Sequence, residues 1–122
     1  MEELREHTRH EVLIPAEADT AENPVPVDVV EISIEGLRLQ SKKFFSPDAL
    51  VSVSIMMGRN IIFNGWAVWV LDKYLPEGHV YHTGIQIESI TDAAVGILGI
   101  KGREGLIQEI LGSAISSSGG RR

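Results

Sequence analysis

The strongest constraint on this chain is a pattern: short runs in which apolar and polar residues alternate, broken at close intervals by Gly, Pro and Asn. Val12, Ile14, Ala16 and Ala18 alternate through residues 11–20, and Pro15 places that strand at an edge or bulge. Thr20 to Pro24 reads as a turn. Val25, Val27 and Val29 then alternate, and the phase slips at Val29-Val30 to Val30, Ile32 and Ile34. Such a slip means a bulge or a strong twist. In the second phase Glu31, Ser33 and Glu35 project to one face. Gly36 ends the run in a tight hairpin, where it is expected to supply a positive φ, and Leu37 and Leu39 resume the alternation.

After a connection over 41–48, Val51, Val53 and Ile55 form the next strand, and Gly58-Arg59-Asn60 a turn. Residues 61–71 are apolar on both faces, as in a central strand covered on its second side. A loop is expected over 72–78. The last strand is expected over 79–88, with Tyr81, Thr83, Ile85 and Ile87 on one face. Beyond it the pattern reads as helical. Ser89 or Thr91 would cap a start near Asp92, and Leu106, Ile107, Ile110, Leu111 and Ala114 share one stripe. Gly96, Gly99, Gly102 and Gly105 interrupt it, each costing about 1 kcal/mol relative to Ala, so a break or two short helices are expected.

Six short strands, hairpin turns and one amphipathic segment predict a mainly β fold. The expected architecture is a six-stranded antiparallel (split or Greek-key) β-barrel, with a C-terminal helical segment covering one opening. The expected organisation is a flexible N-terminal arm over 1–10, the barrel and its helix over 11–112, and a disordered Ser/Gly tail over 113–122.

Composition narrows the function. A chain of 122 residues makes one domain with a real core. Its net charge of −6 argues against DNA or RNA as a partner, because such binders carry a broad basic face. A small anionic ligand needs only two or three placed cations. With no cysteine there is no thiolate chemistry. The charged start is no signal peptide, and no run reaches the roughly 18 apolar residues of a membrane helix, so a cytoplasmic protein without membrane insertion is expected.

No catalytic constellation emerges. Glu31 with Glu35, and Asp28 with Glu31, are paired carboxylates of the kind strand faces carry into solvent. His79 and His82 are three apart on a strand and point to opposite faces, so they cannot chelate one metal. No enzyme activity, metal or cofactor is expected, and the chain reads as a binding module.

The arm holds the remaining signal. Arg5 and Arg9 share a face if the arm is helical. If it is extended they lie up to roughly 14 Å apart, at about 3.4 Å per residue. The pair is either an anion clamp or part of a solvated tail. Arg5-x-x-x-Arg9, then about twenty residues of strand, then Glu31-x-Ser33-x-x-Gly36 followed by Leu37-Arg38-Leu39, resembles a PilZ domain. Gly65-Trp66-Ala67-Val68-Trp69 and His82-Thr83-Gly84-Ile85-Gln86-Ile87 resemble that family's apolar and closing strands, and the likeness covers about residues 4–90.

The resemblance implies binding of the bacterial second messenger cyclic di-GMP, no catalysis, and a downstream protein partner that reads the bound state. It implies that Arg5 and Arg9 take phosphates or a guanine Hoogsteen edge, or stack on a guanine. Ser33 would exchange a hydrogen bond with guanine or phosphate, and Gly36 would let the ligand approach the backbone. Glu31 stands where the family carries Asp or Asn. It is also an acceptor, one methylene longer. Arg38 beside the motif either adds a contact or is a surface-strand arginine with no role. The other function in view is a divergent PilZ-like adaptor that does not bind the nucleotide. It would work through protein contacts of residues 91–114 or 61–71.

Overall fold

The structure, a computed structural model, describes residues 8–20 and 23–119, with side chains at the C-terminal end described to Ser113. Its elements in chain order are β1 (His10–Asp19), β2 (Val25–Ile32), β3 (Gly36–Ser41), β4 (Leu50–Met56), β5 (Asn60–Leu75), β6 (Gly78–Asp92), β7 (Gly96–Ile97) and α1 (Ile100–Gly119). The strands run β3-β2-β1-β4-β5-β6-β7, every pairing is antiparallel, and β3 also pairs with β6. That last pairing closes six strands into a barrel, as expected, and β7 is one strand more.

The alternating residues explain the closure. Val27, Val29, Ile32, Leu37, Leu39, Val51, Val53, Ile55, Ile61, Phe63, Ile85 and Ile87 all point inward and are buried. Leu106, Ile107 and Ile110 of α1 join the same core, so the helix seals the barrel on one side. The phase slip at Val29-Val30 is a bulge: β2 and β3 lose register between Val29 and Glu31. Pro15 stands where one flank of β1 is free, since β4 joins β1 only over Glu17–Asp19. Proline's missing N–H is tolerated there.

Three expectations are corrected. The loop expected over 72–78 shrinks to a two-residue turn at Pro76-Glu77, because β5 runs to Leu75 and β6 restarts at Gly78. Cross-strand contacts hold this extension: Tyr74 stacks on His79 with ring centroids 4.6 Å apart, and His79 Nε2 lies 3.0 Å from Asp72 Oδ1. The helix does not begin near Asp92. Thr91 and Asp92 pair with Ile62 and Ile61 on one side and with β7 on the other. Asp92 Oδ1 accepts from the N–H of Ala94, which folds residues 92–95 into a turn. Gly96, at φ 105°, sits in β7, and a single helix starts at Ile100 with Arg103 N–H donating to Gly99 C=O. Finally, β5 is not covered on both faces. Its inner residues are buried, but Val68 and Trp69 are open to solvent.

Arg59 ties α1 to the barrel end. Its Nε donates to Asp92 Oδ1 at 2.9 Å, and its Nη1 and Nη2 donate to Glu109 at 2.9 Å each. The hydrogen bond from Arg59 holds both carboxyls below their usual range. A folded-state value below the unfolded one means stability that is present at neutral pH and lost as acid protonates the group, below about pH 4. Thermal melts between pH 3 and 7 should therefore show Asp92→Asn less stable than wild type at pH 7 but with a shallower acid slope. Equal slopes would overturn this role for Asp92.

Candidate functional site

The turn between β2 and β3 is built by one side chain. Ser33 is buried, and its Oγ accepts from the N–H of Glu35 at 3.2 Å and of Gly36 at 3.1 Å. Ser33 N–H donates to Gly36 C=O at 2.9 Å. Serine suits this because its short side chain reaches backbone donors two and three residues on. The expected strand therefore ends at Ile32, and residues 33–35 form a turn rather than an alternating face.

Gly36 is not among the described glycines with positive φ. The space for a side chain is tight for a different reason: a Cβ there would sit 3.0 Å from Ile85 C=O of β6, so the strand would have to give by a few tenths of an ångström. The turn is also strapped to β6 by Ile87 N–H donating to Glu35 C=O at 2.9 Å.

Beside this turn, four strands contribute one row of side chains. Register aligns Glu31 with Arg38, Arg38 with Gly84, and Gly84 with Trp69. Arg38 Nη2 donates to Glu31 Oε2 at 3.0 Å, with both side chains partly exposed. Arg38 is therefore ion-paired, and the pair holds its guanidinium beside Glu31. Arg38 Nε is buried without a hydrogen-bond partner. Trp69 lies across Gly84, where any Cβ would overlap the indole. Trp69 as a whole is 39% exposed and lines the cleft beside the turn. In the adjacent row Gln40 Oε1 meets His82 Nε2 at 2.9 Å. Burial, then the charges of Arg38 and Lys73, push the His82 imidazole below its usual value, so it is neutral at pH 7.

Turn and row enclose a cleft of about 160 Å³. Arg9, Glu31, Ser33, Gly36 and Arg38 all line it. Arg5 lies outside the described residues. Val68, Trp69, Gly84 and Gln86 line it too, and sequence reasoning did not single them out as site residues. The signal was present in Val68-Trp69 and Gly84, two tracts that pattern alone assigns to core strands. Only the bulge between Ala67 and Trp69 turns Trp69 outward opposite Gly84.

The cleft offers two arginines, of which Arg38 is held by Glu31, a partly exposed indole and backbone that can be approached closely. It suits a ligand with anionic groups and a flat ring. Among the described residues no group of three or more His, Asp or Glu is placed to hold a metal, and no helix is long and apolar enough to cross a membrane.

Comparison with known proteins agrees with this architecture. The chain is similar to a solved structure of K. pneumonia MrkH in its apo state, with a TM-score of 0.62 and 18% sequence identity. The match takes in 100% of this chain but 55% of that one, so the chain spans about half the length of MrkH. At that identity the likeness is one of fold. A comparison with curated proteins finds no match. The family model of the PilZ domain matches residues 3–99, which takes in the arm motif, the turn and every strand of the barrel, and the chain belongs to the PilZ domain family.

Proposed function

We propose that this domain is a receptor for cyclic di-GMP, a binding and effector module rather than an enzyme. One observation carries the reading: Arg9 and the Glu31-x-Ser33-x-x-Gly36 turn, far apart in sequence, line the same cleft as Trp69. The chemistry of each group matches part of a cyclic purine dinucleotide. Arg5 and Arg9 would take phosphates or a guanine edge through bidentate guanidinium contacts. Trp69 offers a stacking face for a base, a contact worth about 1–3 kcal/mol. Glu31 presents its second carboxylate oxygen to guanine N–H groups while the first stays on Arg38.

The role of Ser33 shifts in this account. With its Oγ engaged by two backbone N–H groups, it acts by shaping the turn. Ligand binding would order the arm over the cleft, and an unidentified protein partner would read that change.

A calorimetric titration with cyclic di-GMP, against GTP and cyclic GMP, tests the proposal. Micromolar or tighter binding, selective over both controls, is expected. At a hundredfold excess over Kd the ligand should also stabilise the fold by about 2.7 kcal/mol. No heat and no rise in melting temperature at saturating ligand would favour the adaptor instead.

A further inference from the structure

Arg103 ties α1 to the turn that borders the cleft. Arg103, in the helix's first turn, donates from Nη1 to Ile34 C=O at 3.0 Å and from Nη2 to Glu88 C=O at 3.0 Å. Both carbonyls lack ladder partners for a local reason. Ile34 sits in the turn between β2 and β3, beyond the last paired residue of β2. Glu88 is the unpaired residue of a bulge, since Asn64 pairs with Ser89 and Gly65 with Ile87. A planar guanidinium can span two such acceptors at once, whereas an ammonium is a single point of attachment.

Position makes this more than anchoring. Ile34 lies between Ser33 and Glu35, both of which line the cleft. Arg103 grips the turn from behind, on the helix side. On β6 it holds the residue next to Ile87, whose N–H already bonds Glu35. The turn is thus tied to β6 twice, once directly and once through the helix. Arg103 Nε is itself buried without a partner, so the side chain has a desolvation cost that only these two contacts offset.

We infer that Arg103 is a positioning residue of the cleft: by holding the Ile34 and Glu88 carbonyls together, it makes the docking of α1 and the ligand-ready form of the Ser33–Gly36 turn one cooperative state. A ligand that tightens the turn then tightens α1, and loss of α1 loosens the turn. The ligand half of this inference rests on the proposed cyclic di-GMP reading, and the ligand-free half does not.

The test is amide hydrogen exchange on the full chain, followed residue by residue, for wild type, Arg103→Met, Arg103→Lys and Glu109→Gln. Without ligand, Arg103→Met should raise exchange at Ser33, Gly36 and Ile87 about tenfold, while Val51 and Val53 of β4 stay at the wild-type rate. Arg103→Lys, able to reach one carbonyl, should fall between. Glu109→Gln loosens α1 at Arg59 with Arg103 still in place, and through the same coupling should raise turn exchange by less than Arg103→Met does. With cyclic di-GMP, wild type should gain protection at residues 106–111, and Arg103→Met should lose that gain and bind about tenfold more weakly.

Turn amides that exchange at the wild-type rate in ligand-free Arg103→Met would overturn the inference. If that variant fails to fold, wild-type exchange in Arg103→Lys does the same. If wild type binds no cyclic di-GMP, the receptor reading fails while the ligand-free comparison still decides the role of Arg103.

Discussion

An Arg5→Ala, Arg9→Ala double variant is expected to bind cyclic di-GMP at least about 100-fold more weakly than wild type, with its melting temperature unchanged. The loss follows from the kind of contact removed. A hydrogen bond to a charged group contributes about 1.5–3 kcal/mol, so two lost arginine contacts amount to roughly 3–6 kcal/mol, or two to four powers of ten. The fold should not notice. Arg9 is exposed, precedes β1 and belongs to no part of the core, and substitutions at such positions stay within about 0.5 kcal/mol.

The net charge of −6 sharpens the expectation, because the rest of the chain repels an anion on balance and the local arginines must overcome it. Arg9→Lys should rescue little, since lysine keeps the charge and loses the planar fork. Calorimetry on the three proteins, with melting curves alongside, gives the answer. Binding retained within tenfold in the double variant would sink the arginine clamp.

The barrel was legible because period-two alternation is a direct consequence of strand geometry, and a buried face cannot slip by one residue without exposing itself. Even the bulge at Val29-Val30 showed as a break in phase. What pattern could not reveal was where pairing would extend past the core. Residues 72–75 carry no inward-facing apolar series, and they are strand because Asp72 and Tyr74 find cross-strand partners in His79. The helix start was misread for a similar reason. Ser89 and Thr91 have the composition of caps, but both pair with β5, and Asp92 accepts from the N–H of Ala94 in the turn leading to β7.

The site divides along the same line. Arg9, Glu31, Ser33, Gly36 and Arg38 could be found because they lie in two short tracts of recognisable spacing. Their division of labour could not. Ser33 has the composition of a ligand contact and spends its oxygen on two backbone amides. Glu31 and Arg38 are seven residues apart in sequence and become neighbours only through the β2–β3 register. Gly36 lines the cleft, but what crowds it is the Ile85 carbonyl rather than a left-handed backbone. Arg103 shows no pattern at all, since its two acceptors lie 69 and 15 residues away.

Two glycines in facing strands should separate the fold from the site. Gly65→Ala is expected to destabilise the protein by about 3 kcal/mol, the upper part of the range for overpacking. A Cβ at Gly65 would run into the backbone of β6, overlapping the Gln86 carbonyl oxygen and approaching its carbon to 2.9 Å. Both atoms belong to a paired strand, and neither can move without breaking ladder bonds. The melting temperature should fall by roughly 10 °C for a domain of this size.

Gly84→Ala places its Cβ against a side chain instead. The atoms it meets are the indole of Trp69, a ring at the surface that can rotate outward. The expected outcome is a melting temperature within a few degrees of wild type and a stacking face displaced from the cleft, with affinity for cyclic di-GMP reduced by about 1–3 kcal/mol, or 5- to 150-fold. Trp69→Ala should reproduce that loss of affinity, and the double variant should add little to it, because both changes remove the same contact. A Gly84→Ala protein that binds as wild type does would remove Trp69 from the ligand's surroundings. It would leave the arginines and Glu31 to account for recognition.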